Sequence, residues 1–129
     1  MKNKAVLIFM LVIALYSAFF ILKLQQPTRN IKVENKSYNL LIADNAEEHS
    51  KGLMNVRKLS NADGMVFLFE DSQVRTFWNQ NTLVDLDVYW MQDDKVVGKS
   101  FLPSIDQTKA PITISSEVPV NKVVEIIRR

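Results

Sequence analysis

Two carboxylates two residues apart, Asp85 and Asp87, are the pair in this chain best spaced for acid–base chemistry. Residues i and i+2 of a strand point to the same face, so these side chains would lie within about 7 Å of each other. Such a pair can divide the roles of acid and base or bind a hard cation. In the alternative, Asp87 accepts hydrogen bonds from backbone N–H groups of residues 79–83 while Asp85 is solvated.

Large aromatic rings surround this pair in the stretch RTFWNQNTLVDLDVYW, residues 75–90. An aromatic wall with a few convergent polar groups is the usual form of a ligand pocket. The same rings could instead fill the core, because a small β-rich domain needs large buried side chains. Asn81 and Thr82 are also typical of residues that brace a loop. The ligand-binding residues predicted from this stretch are Trp78, Asn81, Thr82, Asp85, Asp87 and Trp90.

His49 is the single histidine of the chain and the candidate metal ligand. Together with Met54, Met65 and Met91 it offers the imidazole and thioether groups that copper favours. In the alternative, His49 is a solvated residue of a short helix and the methionines fill the core. No cofactor is predicted.

Several classes of site are excluded by composition. The chain has no cysteine, so disulfides, thiol nucleophiles and zinc–thiolate sites are absent. It contains no G-x-S-x-G, P-loop or H-E-x-x-H motif. Three of its 16 basic residues precede residue 24, and the remainder are scattered among 14 acidic ones, which argues against nucleic-acid binding.

Residues 1–23 read as an N-terminal signal anchor. Lys2 and Lys4 precede an uncharged run over residues 5–22, which as a helix spans roughly 27 Å, close to the roughly 30 Å of a bilayer core. The run is longer than the apolar region of a usual cleaved signal peptide. With both lysines on the inside, we predict a single-pass membrane protein whose C-terminal domain is extracytoplasmic. A polar linker is predicted over residues 24–30.

The remaining residues, 31–129, are predicted to form one β-rich domain. Apolar runs, alternation and turn signals predict strands at residues 31–33, 38–43, 65–69, 75–78, 86–91, 95–101 and 122–127, with a brief extended piece at 112–115. A short helix is expected from residue 45 to about residue 53, with Asp44 as its N-cap and Glu47 reaching back. The predicted fold class is α+β, dominated by a curled antiparallel sheet or small barrel of about six strands.

An ordered set of short motifs resembles the domain-of-unknown-function family number 192. The motifs are Gly52-Leu53-Met54, Arg57-Lys58-Leu59, Gly64-Met65-Val66-Phe67-Leu68-Phe69, Phe77-Trp78, Asn81-Thr82 and Leu86-Asp87. The resemblance covers roughly residues 31–127. It implies a compact β-rich fold, often behind an N-terminal signal or anchor, and supplies no established reaction.

The chain departs from the family pattern at three places. Asn79 and Gln80 stand where the family usually has Met and Lys, so a site built with that Lys is in doubt here. Asp85 stands where a Pro is common. Members also tend to continue into a Gly-rich tail, whereas this chain ends at Arg129, and we expect an edge strand to lack a partner as a result.

These observations favour a membrane-anchored extracytoplasmic domain that binds a small ligand or a protein partner without chemistry of its own. One alternative is an envelope-associated hydrolase with Asp87 as base and with Asn81 and Thr82 orienting the substrate. A second alternative is a copper-handling protein that uses His49 and methionines. The partners expected are the membrane, through residues 5–22, and a small ligand or envelope protein, with no nucleic acid.

Overall fold

Eight strands and three helices follow one another in the computed structural model, which describes residues 2–23 and 26–129. In chain order they are α1 (Lys2–Lys23), β1 (Thr28–Val33), β2 (Lys36–Ala43), α2 (Ala46–Lys51), β3 (Gly64–Gln73), β4 (Thr76–Trp78), β5 (Leu86–Gln92), β6 (Lys95–Leu102), α3 (Ile105–Thr108), β7 (Thr113–Ser115) and β8 (Val120–Ile127). The prediction of a β-dominated fold is confirmed. The segment predicted as one loop after β6 contains the short helix α3.

Six strands form one sheet, curled into a half-barrel, in the order β1-β2-β3-β8-β5-β6. Strands β4 and β7 form a separate two-stranded sheet. The prediction of an antiparallel sheet is wrong at one place, since β2 and β3 pair in parallel. The chain between them carries α2 and returns to the end where β2 began, which is the crossover that a parallel pair requires.

The alternation predicted along β5 is confirmed. Leu86, Val88 and Trp90 lie in the apolar cluster on one face of the large sheet. Tyr89 and Met91 lie in the cluster on the other face. The sheet is therefore apolar on both sides, and α2, β4 and β7 lie over the face that contains Trp90.

The boundaries of several elements differ from the predictions. Strand β1 begins at Thr28, inside the predicted linker, and β3 continues to Gln73, beyond its predicted end at residue 69. The last strand, β8, pairs with both β3 and β5, so it is an interior strand and the edges are β1 and β6.

The N-terminus of α2 is also shifted from its prediction. The N-cap is Asn45 rather than Asp44, and its side chain accepts a hydrogen bond from the Glu48 backbone N–H at 3.0 Å. Glu48, rather than Glu47, reaches back and accepts from the Asp44 N–H at 3.0 Å. Both residue pairs have capping-box spacing, so the sequence alone does not distinguish them.

Helix α1 carries exposed apolar side chains from Val6 to Phe19. Across the described residues, no helix has both the length and the apolar character needed to cross a membrane. Residues 24 and 25 of the predicted linker lie outside the described part of the chain, as do residue 1 and the side chains at 2, 3 and 20–23 of the predicted anchor.

Candidate functional site

Asp85 and Asp87 have separate partners rather than a shared site. The Asp85 carboxylate accepts from the Ser104 backbone N–H at 2.8 Å and from the Gln107 amide at 2.6 Å. Asp87 instead accepts from Arg128 Nε at 3.0 Å. The alternative prediction, in which Asp87 bonds the N–H groups of residues 79–83 and Asp85 is solvated, does not match these partners: Asp85 bonds the Ser104 N–H, and Asp87 pairs with Arg128.

The loop between β4 and β5 is held in place by Asn79, a residue that the sequence marked only as a departure. Its side chain is fully buried. The amide nitrogen donates to Pro103 O at 2.9 Å and to Thr108 Oγ1 at 2.8 Å, and the amide oxygen accepts from the Ile112 N–H at 2.8 Å. All three partners are more than 20 residues away, so no local sequence pattern identifies this role.

Asn81 and Thr82 complete the same loop. Asn81 adopts a left-handed conformation with φ of 54°, and its carbonyl accepts from the Asn55 N–H at 2.8 Å. The Thr82 carbonyl accepts from the Ile105 N–H at 2.8 Å, which ties the loop to α3. Asn81 and Thr82 thus hold the loop in place through hydrogen bonds of their backbone carbonyls.

The two tryptophans have different environments. Trp90 is buried in the core, where its indole N–H donates to Ser100 Oγ at 2.8 Å and its ring packs against Phe77 at 5.6 Å between centroids. Trp78 is 49% exposed. Of the two predicted pocket residues, only Trp78 lines a cavity.

Trp78 and Thr82 line a small cavity that we call the inner cavity. It lies on the face of the sheet that contains Trp90, and its volume is about 30 Å³. The lining residues are His49, Ser50, Lys51, Gly52, Leu53, Met54, Phe67, Phe77, Trp78, Thr82 and Glu125. A single water molecule needs about 10–15 Å³ on this measure, so the inner cavity has room for one small polar group.

A larger depression, the outer groove, adjoins the inner cavity and has a volume of about 510 Å³. The two share His49, Ser50, Phe77 and Trp78. Arg75 also lines the outer groove, where its guanidinium lies 3.9 Å from the centre of the Phe69 ring. A volume of this size is within the range of small-molecule sites.

Glu125 is the buried acid of the inner cavity, and its residue is only 4% exposed. Strand alternation directs its side chain to the same face as Val123 and Ile127, which pack with Leu53 and Phe67. Burial raises the pKa of its carboxyl to about 8. Among the residues that the structure describes, none donates a hydrogen bond to this carboxyl.

The carboxyl of Glu125 is nevertheless in contact with the cavity. Over the described part of the chain, every side-chain oxygen or nitrogen that is completely inaccessible has a hydrogen-bond partner. An unpartnered carboxyl must therefore present its oxygens to open space. The sequence signal that could have identified Glu125 is a single acid inside the apolar strand VNKVVEII.

Gly64 allows the backbone around Glu125 to pack closely. It lies on β3 opposite Ile126, and a Cβ at this position would come within 1.8 Å of the Glu125 carbonyl oxygen. Any side chain here would therefore push β3 and β8 apart. The glycine fixes the strand that carries Glu125 directly beside β3.

His49 lies at the junction of the inner cavity and the outer groove. Its Nε2 is 3.0 Å from the Ala43 carbonyl, and its ring lies 4.4 Å from the Phe69 ring. Nε2 therefore carries a proton in the neutral ring, which leaves Nδ1 as an acceptor. This tautomer, protonated at Nε2, is assigned from the hydrogen bond to the Ala43 carbonyl.

The copper ligands considered from the sequence are not brought together. Met54 lines the inner cavity with His49, and Met65 is buried in the cluster on the same face. Met91 lies in the cluster on the opposite face of the sheet. No group of three or more His, Cys, Asp or Glu side chains that could hold a metal occurs within the described ranges.

A larger groove, of about 770 Å³, lies elsewhere, between the edge strands β1 and β6. Its charged lining residues are Arg29, Lys32, Glu34, Asp94, Lys95 and Lys122. Asp94 and Lys122 form an ion pair at 2.9 Å in which the Asp94 side chain is almost fully exposed. This groove is a solvated surface, and we place the candidate site at Glu125 because buried polar groups are normally paired.

Comparison with solved structures finds the same fold in two bacterial proteins. One is a protein from Sinorhizobium meliloti 1021 for which a role as a transcription regulator has been suggested, with 24% identity, 78% of each chain covered and a TM-score of 0.61. The other is a protein of unknown function from Novosphingobium aromaticivorans DSM 12444, with 24% identity, 78% of this chain and 71% of that chain covered, and a TM-score of 0.62. At this identity the likeness shows the fold alone.

A comparison with curated protein sequences finds no match. The model of the family described as uncharacterized ACR, DUF192, matches residues 28–128. That match includes every strand of the half-barrel and all residues of the inner cavity. The chain therefore belongs to the DUF192 family.

Proposed function

We propose that this chain is a membrane-anchored extracytoplasmic domain that binds a small ligand in the inner cavity and the outer groove. The observation that carries the proposal is the buried Glu125 carboxyl, which faces the inner cavity without a partner among the described residues. A buried polar group that lacks a protein partner is normally satisfied by water or a ligand. The adjoining outer groove supplies the volume and the aromatic wall of a small-molecule site.

Ligand binding is tested with two variants and a matched control. Trp78→Ala removes the ring at the junction of cavity and groove, and Glu125→Gln removes the acid. Asp87→Asn changes a carboxyl that lines neither space and bonds Arg128 instead. We expect a small-molecule screen, read by the NMR signals of the Trp78 indole and Thr82, to detect ligands that bind wild type and Asp87→Asn but bind the first two variants weakly. Equal binding to all four proteins would refute the proposed site.

The anchor is supported by the sequence run 5–22 and by the exposed apolar side chains of α1. An exposed apolar helix is costly in water and favourable in a bilayer. Lys2 and Lys4 favour an inside N-terminus. Alkaline phosphatase is active only outside the cytoplasm, so a fusion after Arg129 should be active and should remain with the membrane after alkaline washing. An inactive or extractable fusion contradicts the anchor.

The two alternative functions have less support. A hydrolase that uses Asp87 as its base would need this carboxylate free, but Arg128 pairs with it at 3.0 Å. A copper protein would need Met91 on the same side of the sheet as His49, whereas it packs in the opposite cluster. Dialysis against Cu(I) followed by metal analysis is the direct test of the second, and we expect a metal-free protein.

A further inference from the structure

Resting on the proposed binding function, we infer that the inner cavity binds the protonated primary amine of a small molecule whose apolar body occupies the outer groove. Glu125 and Thr82 hold the ammonium group, and the aromatic rings at the junction hold the adjoining carbon chain. Three independent features of the cavity support this ligand class: its charge, its hydrogen-bonding groups and its size.

The charge of the cavity favours a cation. Burial is the single cause that raises the pKa of Glu125, so no described cationic side chain lies close enough to lower it. His49 and Lys51, both on α2, are the ionisable residues that line the cavity besides Glu125, and Lys51 is exposed. Strands β3 and β4 contribute apolar rings to the lining, Phe67 from β3 and Phe77 and Trp78 from β4. An incoming ammonium would supply the positive charge that the ionised carboxylate lacks.

The hydrogen-bonding groups of the cavity also fit an ammonium. A primary ammonium has three N–H donors and no acceptor. Thr82 is 5% exposed, and its hydroxyl has no hydrogen-bond partner among the described residues. The ionised Glu125 carboxylate and the oxygen of the Thr82 hydroxyl are thus two acceptors that line one small cavity. The three donors of a primary ammonium are enough for both.

The size and walls of the cavity restrict the amine to a small head. The volume of about 30 Å³ accommodates a group slightly larger than water. A trimethylammonium group, with three added methyls, exceeds this space. The rings of Phe67, Phe77 and Trp78 line the cavity, and aromatic faces attract cations. A primary amine on a straight chain fits this geometry.

The competing ligand is a neutral molecule that accepts a hydrogen bond from protonated Glu125, and its pH dependence is opposite. Amine binding requires an ionised carboxyl, so the affinity rises about tenfold per pH unit well below the pKa of about 8 and about fivefold over the last unit, and is then nearly level until the amine deprotonates near pH 10. A neutral molecule that accepts a hydrogen bond from Glu125 binds only when the Glu125 carboxyl is protonated. Its affinity is level below about pH 8 and falls about tenfold per unit above it.

The experiment measures binding of n-butylamine to the full chain in detergent micelles by titration NMR at pH 6, 7, 8 and 9. 1-Butanol is the neutral probe of the same shape. We expect butylamine to bind about tenfold more tightly at pH 7 than at pH 6 and about fivefold more tightly at pH 8 than at pH 7, and 1-butanol to bind weakly throughout. The series is repeated with His49→Asn, which removes the imidazole that lines the cavity beside Glu125, and the same rise should persist.

Two cavity variants and one control complete the test. Glu125→Gln keeps the shape of the side chain and should abolish butylamine binding, while Thr82→Val, a smaller change, should weaken it severalfold. Asp87→Asn, on the other face of the sheet, should bind as wild type does. The inference is overturned if 1-butanol binds as well as butylamine, if the affinity falls above pH 8, or if Glu125→Gln still binds the amine.

The outcomes separate this inference from the function on which it rests. If amines do not bind but other compounds shift the Trp78 and Thr82 signals, the inferred ligand class is wrong and the proposed binding function stands. If no compound of either kind shifts them, both are wrong. A butylamine-bound protein whose shifts appear at the β1–β6 groove instead also overturns the inference, because that groove has its own acids, Glu34 and Asp94.

Discussion

At the scale of single residues, the side chain central to the candidate site is Glu125, which was not predicted from the sequence as a site residue. The strand containing Glu125 was predicted, but its burial depends on β3 and β5 pairing on both sides of β8 and on α2 and β4 packing over one face. Those contacts come from distant parts of the chain. Asp87 drew attention because it neighbours aromatic residues in sequence, whereas in space it lies beside Arg128.

Glu125→Gln should change how stability depends on pH. The pKa of Glu125 is about 8 when folded and near 4.5 normally, so the folded state keeps a proton that the unfolded chain loses. The stabilisation that the protonated Glu125 carboxyl contributes to the wild-type protein is fully present below pH 4.5. It is lost as the pH rises to about 8. The side-chain amide of the Glu125→Gln variant does not ionise, so its stability lacks this pH dependence. Thermal and urea unfolding should show the variant gaining about 3 kcal/mol relative to wild type between pH 5 and pH 8.

The control for this experiment is Asp87→Asn, which alters a carboxyl on the other face of the same sheet. Its stability relative to wild type should change little over the same pH interval. A constant difference between Glu125→Gln and wild type from pH 5 to pH 8 would mean that the carboxyl is not desolvated when the protein is folded.

Asn79→Ala should destabilise the domain by about 2–4 kcal/mol. The substitution removes three hydrogen bonds of a fully buried side chain and leaves the Ile112 N–H and the Pro103 carbonyl without this partner. Gln80→Ala, at the adjacent and partly exposed position, is the matched control and should cost less than about 0.5 kcal/mol. Urea unfolding measures both. Equal stability of the two variants would show that Asn79 does not hold the loop.

At the scale of elements, periodicity predicts which residues form strands but not how the strands pair. The two faces of β5 follow from its alternation, and β5 pairs with β6, the next strand along the chain. The parallel β2–β3 pair and the β4–β7 sheet join segments that are distant in sequence. Their pairing depends on side chains such as Asn79 that act across the fold. The inner cavity arises where these long-range contacts meet, which is why the sequence supplied Trp78 and Thr82 but not Glu125.

Gly64→Ala should prevent stable pairing of β3 with β8. The added Cβ would lie 1.8 Å from the Glu125 carbonyl oxygen, and backbone on both sides must move to relieve that overlap. We expect a loss of more than about 3 kcal/mol of folding free energy, or no folded protein. Gly98→Ala is the control, since its Cβ would meet a Trp90 side-chain atom at 3.2 Å. Circular dichroism melting should rank Gly64→Ala well below Gly98→Ala, and the reverse order contradicts the close approach.

At the scale of the whole molecule, the chain combines an apolar N-terminal helix with a half-barrel that has its own core. The two apolar clusters of the half-barrel, as far as the structure describes the chain, contain no residue that precedes Ile31. Stability in small domains comes mainly from such buried apolar surface. The half-barrel should therefore not depend on α1 for folding, and α1 should determine only where the domain is held.

Removal of residues 1–25 tests this division. The shortened chain keeps β1 from Thr28 and every residue of both apolar clusters, so its unfolding free energy should equal that of the full chain within about 0.5 kcal/mol. If the proposed anchor is right, the shortened chain should also leave the membrane fraction, because the apolar run over residues 5–22 is gone. Urea unfolding of both proteins in the same detergent, together with fractionation of cells, measures the two effects separately. A shortened chain that is much less stable would show that α1 packs on the half-barrel. One that stays in the membrane would show that the half-barrel itself binds lipid.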